Sequence, residues 1–117
     1  MSEQKKFCDL LSQMLKDSKK THVSFYTELG IKKPYFYDIL KGKVNPPPPE
    51  KQFAIIKILK PNFKTCTEFF QLAAEERNEM PADLMRYINK SMREALRNNQ
   101  DYKEMIDSII KGENANG

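Results

Sequence analysis

One histidine, two cysteines and a few carboxylates are the residues of this chain that could do covalent or acid–base chemistry, and their spacing offers little of it. His22 has no second histidine and no Cys/His cluster beside it, so no metal site is expected. Cys8 and Cys66 lie far apart and form no CxxC pair. Either could in principle pair with His22 as nucleophile and base. No motif supports that pairing, and Cys8 reads as the flank of a helical core. Glu75, Glu79 and Asp83 would share a face at i, i+4 and i+8, but Pro81 interrupts them. They read as helix caps or a solvated face. The four glycines are single stops or the terminus, so no phosphate-cradling loop is present. The expectation is a chain that is not an enzyme and takes no cofactor.

What the chain has in quantity is lysine. Its 20 Lys/Arg against 16 Asp/Glu give a net charge of +4, unevenly placed. Residues 1–60 hold 12 lysines and 6 acidic residues, a net of +6; residues 61–117 hold 8 basic and 10 acidic, a net of −2. A positive excess confined to one half is the footprint of a phosphate-binding face, or more simply of a lysine-rich solvated surface. Charge alone does not separate the two, so the pattern must.

The 117 residues suit one domain or a small domain with an extension. A chain that is 39% hydrophobic and 31% charged is globular rather than disordered. No apolar run nears the roughly 20 residues that span a bilayer. The start, MSEQKKFCDLL, lacks the apolar core of a secretory signal. These features predict a cytoplasmic protein with reduced cysteines and no membrane partner.

The elements that would position the lysines are helices. Phe7, Leu10, Leu11, Met14 and Leu15 mark one apolar face and predict a first helix over Glu3 to Asp17, with Ser2 as its cap. Thr21 caps a second, His22 to Leu29, with Phe25 and Leu29 inward; Gly30 stops it and Ile31 plugs the turn. A third covers Lys33 to Leu40, with Pro34 tolerated in its first turn, Phe36, Ile39 and Leu40 inward, and Gly42 as its stop. Tyr35, Tyr37, Asp38 and Lys41 then face outward or sideways. Pro46 to Pro49 predict a stiff extended connector whose last proline opens a fourth helix, Glu50 to Lys60. Phe53, Ile56 and Leu59 should form its main face, widened by Ala54, Ile55 and Ile58. A fifth helix, ending at Glu76 and starting near Thr65 or Thr67, should pack back on the others through Phe63, Phe69 and Phe70.

From Arg77 the composition shifts. Three short helices are expected: Ala82 to Lys90 after Pro81, Ser91 to Arg97, and Asp101 to Lys111, the last capped by Asp101 and stopped by Gly112. Their narrow Met, Tyr and Ile stripes exceed what a short annex can hide within itself, so they either pack on the first domain or pair with a second copy, and the second is favoured because two-fold dimers are the commonest assembly. The expected division is 1–76, a helical extension over 77–112, and a disordered tail over 113–117.

From Phe7 to about Leu72 the chain resembles the lambda-repressor-like helix-turn-helix family, also called the XRE family. Thr21, Phe25, Leu29-Gly30-Ile31, Tyr35, Ile39, Gly42 and Asn45-Pro46 carry the resemblance. Its members are bacterial and phage transcriptional regulators. The resemblance implies an all-α fold: a compact five-helix helix-turn-helix domain with a C-terminal helical extension. It implies a homodimeric, cytoplasmic repressor that binds double-stranded DNA. Carried over by position, Thr21 and His22 match phosphate contacts. Lys32 and Lys33 match the start of the recognition helix, and Tyr35 lies on the same helix. Tyr37 and Asp38 match later groove-facing positions, and Lys41 and Lys43 lie along the backbone. Lysine can donate to guanine O6/N7, and a carboxylate can accept from cytosine N4. The chain departs from the pattern at Tyr26, where relatives carry a small residue, at Lys32, where they carry a Ser/Thr-type cap, and at Pro34 and Asp38. These departures motivate a second expectation: a protein-interaction module on the same fold, such as an antitoxin or a phage-encoded inhibitor of a host protein.

Overall fold

Phe7, Leu10, Leu11, Met14 and Leu15 recur at the spacing of one helical face, and all five are buried along α1 (Phe7–Ser18) in the computed structural model, which describes residues 5–112. The helix starts later than the apolar pattern alone suggests. Lys5 and Lys6 are not helical, and Lys6, the N-cap residue, makes no side-chain cap. Ser2 and Glu3 lie outside the described residues. The first turn is instead satisfied from far along the chain: Glu76 Oε2 accepts from the Phe7 N–H at 2.6 Å. A carboxylate there answers both an orphan donor and the positive end of the helix dipole.

The second and third helices follow their local signals closely. Thr21 Oγ1 accepts from the Ser24 N–H at 3.1 Å and opens α2 (His22–Leu29). Gly30, with φ +80°, ends it and donates back to Tyr26 and Thr27. A side chain is strained in that left-handed conformation, whereas glycine adopts it freely. Ile31 is half-buried against the core. Pro34 sits in the first turn of α3 (Lys33–Leu40), where its missing N–H has no acceptor to lose. Gly42 (φ +71°) and Lys43 donate back to Ile39 and Asp38 and close α3.

The proline run does more than connect. Pro46 and Pro47 are fully buried, and their carbonyls are acceptors: Pro46 from Arg77, Pro47 from the Gln52 amide, each at 2.9 Å. Pro49 is the first residue of α4 (Pro49–Leu59). The buried face of α4 is turned from the expected one. Gln52, Ile55 and Leu59 form it, with Ile55 fully buried, while Phe53 and Ile56 are half-buried at its sides. The Gln52 Nε2 donates to the Pro47 carbonyl, which satisfies that half of the buried amide, while its Oε1 is buried without a protein partner among the described residues. Lys60, in the left-handed region, caps α4.

α5 (Phe63–Arg77) begins earlier than Thr65 or Thr67. Its cap is Asn62, which accepts from the Thr65 N–H, and the Thr67 hydroxyl donates to Lys64 O within the helix. Phe63 is 84% exposed and takes no part in the core; Phe69, Phe70, Ala73 and Ala74 supply the buried face. Phe7, Phe25, Phe36 and Phe69, all but inaccessible to water, anchor one continuous core built by α1–α5.

The chain divides into two units between Asp83 and Leu84, within α6. α6 (Ala82–Arg97) is one helix of 16 residues, where two short ones were expected; Ser91 does not break it because its neighbours on both sides are good helix formers. α7 (Gln100–Ile110) is capped by Asn99 rather than Asp101, with Asn99 Oδ1 accepting from the Asp101 N–H at 2.7 Å. Leu84, Met85, Ile88, Met92 and Leu96 of α6 and Met105, Ile109 and Ile110 of α7 are all exposed. The described residues are all-helical, in seven helices, and none of these is long and apolar enough to cross a membrane. The expected tail, 113–117, lies outside the described residues.

Candidate nucleic-acid interface

The candidate residues sit on α2, α3 and the segment after α3, and Phe36 is what holds them in place. Buried completely, its ring is packed by Phe25 and Tyr26 from α2 and Tyr37 from α3, with centroids 4.9–5.7 Å apart, and by His22 at 5.3 Å. Tyr26 is a half-buried ring tilted on Phe36 between α2 and α3. At the other end of α2, the Lys51 ammonium of α4 donates to Leu29 O at 3.0 Å, which ties the α2 C-terminus to the body of the domain.

His22 and Tyr37 meet across the two helices, with His22 Nδ1 3.3 Å from the Tyr37 hydroxyl and the rings edge to face. Tyr37 is half-buried by this packing, whereas Tyr35 is open to solvent. Thr21 is exposed. Its oxygen accepts the cap hydrogen bond, and the hydroxyl proton remains available as a donor.

Lys32 and Lys33 are exposed at the N-terminus of α3, Lys41 and Lys43 are exposed at its C-terminal end, and among the described residues none of the four ammonium groups has an ion-pair partner. One α3 length, roughly 12 Å at 1.5 Å per residue, separates the two pairs. Lys41 borders a cleft of about 490 Å³ that also holds Lys5, Lys6, Cys8, Glu75 and Glu76, so its surroundings carry both signs of charge. Asp38 is half-buried, and its carbonyl accepts from the Lys43 N–H at 2.9 Å.

Three lysines outside the expected set share the neighbourhood of His22. Lys16, Lys19 and Lys20 line a cleft of about 430 Å³ with His22 and Leu40. Lys20 is paired with Glu28 at 3.5 Å; Lys16 and Lys19 have no ion pair among the described residues. Their signal in the sequence was a basic cluster placed directly before the Thr21 cap.

The groups weighed for covalent chemistry are dispersed. Cys8 and His22 line different clefts. Cys66 donates to Pro61 O, and burial, with a smaller push from the Asp83 charge, raises its thiol above the ordinary range. Glu79 is held by both Arg77 Nε and Nη2 at 3.1 Å, and Glu75 by the Gln71 amide at 2.9 Å. Among the described residues, no three His, Cys, Asp or Glu groups converge as a metal site. What the surface offers is unpaired cationic charge around α2 and α3. Set against protein-family models, curated proteins and solved structures, the chain matches none of them.

Proposed function

We propose that α1–α5 form a lambda-repressor-like helix-turn-helix domain, and that the chain is a sequence-specific binder of double-stranded DNA. In this reading it is a transcriptional regulator of bacterial or phage type that acts as a homodimeric repressor. The observation that carries the reading is the set of exposed, unpaired lysines at both ends of α3, Lys32, Lys33, Lys41 and Lys43, on a helix fixed by Phe36. α3 enters the major groove with Lys33 nearest the bases. Thr21 and His22 meet phosphate, helped by Lys16 and Lys19, and Lys43 follows the backbone. The His22–Tyr37 contact limits the reach of Tyr37, which then serves to orient His22 as much as to touch a base. Asp38 adds a negative charge to the reading face and selects against adjacent phosphate unless it accepts from a cytosine amine.

A binding titration against a pool of randomised duplexes at low and rising salt tests this reading. The full chain enriches a recurring sequence, and log affinity falls linearly with log salt. A second reading, a protein-interaction module on the same fold, is favoured by the exposed apolar stripes of α6 and α7. Failure to bind any duplex at low salt selects it over the first.

A further inference from the structure

α6 and α7 are amphipathic helices whose apolar faces stay largely exposed, with Tyr102 and Ile106 of α7 half-buried. Leu84, Met85, Ile88, Met92 and Leu96 are between 37% and 56% exposed on α6. Met105, Ile109 and Ile110 are between 50% and 75% exposed on α7, on which no residue is fully buried. Only Asn98 and Asn99 separate the two helices, yet most of each stripe stays exposed. Helices of 16 and 11 residues are marginal in water without tertiary packing. Covering these side chains removes on the order of 800 Å² per copy, what each side of a standard stable interface contributes.

Charge identifies the occupant. Within the second unit, α6 carries Arg86, Lys90, Arg93 and Arg97 against Glu94 alone. α7 carries Asp101, Glu104 and Asp107 against Lys103 alone. At about 100° per residue, Asn89 and then Arg93 follow the Leu96 edge of the α6 stripe, while on α7 Asp101 follows the Met105 edge and Lys103, then Asp107, the Ile110 edge. An anionic membrane surface suits α6 and repels α7. A second α6 brings basic charge onto basic charge. The surface complementary to α6 in both apolarity and sign is α7 of another molecule, and a two-fold axis makes the match twice.

We propose that two copies of the chain pair through a four-helix arrangement in which α6 of each packs on α7 of the other. This rests on the dimeric part of the function proposed above and specifies its surface. It does not require that the dimer bind DNA, and its test uses none.

Sedimentation equilibrium on the full chain at micromolar concentration reads the association directly. The parent is expected to be dimeric, and the Ile88→Glu/Ile109→Glu variant monomeric with the α1–α5 thermal transition retained. Reversing α6 (Lys90→Glu, Arg93→Glu, Arg97→Glu) or α7 (Asp101→Lys, Glu104→Lys, Asp107→Lys) weakens dimerisation at least about tenfold, and combining both sets in one chain restores it. A monomeric parent overturns the proposal. So does a dimer indifferent to the glutamate substitutions, or one whose affinity ignores each single reversal, since α6-on-α6 pairing predicts that indifference.

Discussion

Residues 5–83 and residues 84–112 are built from similar apolar side chains and end in opposite conditions. In the first unit, four phenylalanines from α1, α2, α3 and α5 lose essentially all contact with water. In the second, most large apolar side chains of α6 and α7 remain open. Both regions have amphipathic helices of ordinary length, so amphipathicity alone is not what separates them. The first unit supplies each stripe with a facing stripe on another helix of the same chain. The second covers its stripes only in part, at Tyr102 and Ile106, and its stability is then tied to what binds it and at what concentration.

That contrast can be broken most strongly at Phe36. Phe36→Ala removes the ring that joins α2 to α3 and should cost about 3–5 kcal/mol in denaturant unfolding. A loss below about 1 kcal/mol would mean that the core is not organised around this ring. Lys32→Ala/Lys33→Ala should leave unfolding nearly unchanged but cut duplex affinity by about 1–3 kcal/mol and flatten the salt slope by about 2. Unchanged affinity and slope in a salt titration would remove α3 as the reader. Glu76→Gln keeps the size of the residue that caps α1 and loses its charge, and should cost about 1 kcal/mol by the same unfolding assay. No change would mean that the cap works as a neutral acceptor and that its charge contributes nothing.

The smallest effect concerns pH. Burial first and Asp83 second raise the Cys66 thiol, so the folded state favours the protonated form. The associated stability is complete below the ordinary thiol range and is lost as pH rises through the raised value. Asp83→Asn removes the lesser of the two causes and should shift the pH profile of Cys66 alkylation modestly downward. An unmoved profile would assign the whole shift to burial.

Where the fold was legible, the determining interactions were local. Thr21, Gly30, Pro34 and Gly42 each act within a few residues of themselves, and α2 and α3 begin and end where those residues say. Where it was not, the partner was distant or the cue ambiguous. The start of α1 depends on a carboxylate 69 residues away. The α4 face is shifted onto Gln52, polar in any hydropathy pattern, whose Nε2 has the Pro47 carbonyl as a buried partner. Phe63 looked like core by type, but its position at the first turn of α5 leaves it in solvent. Among the candidate site residues, exposure and charge could be read along the chain. The His22–Tyr37 contact and the approach of Lys16, Lys19 and Lys20 to His22 needed two helices folded against each other.

The most direct test of the central claim is the affinity of the full chain for a selected duplex, measured across salt concentration beside the Lys32→Ala/Lys33→Ala variant. The account predicts a recurring sequence preferred over random duplex and a linear decline of log affinity with log salt, shallower in the variant. Equal, weak binding of every duplex by both proteins, or no binding at low salt, would contradict it.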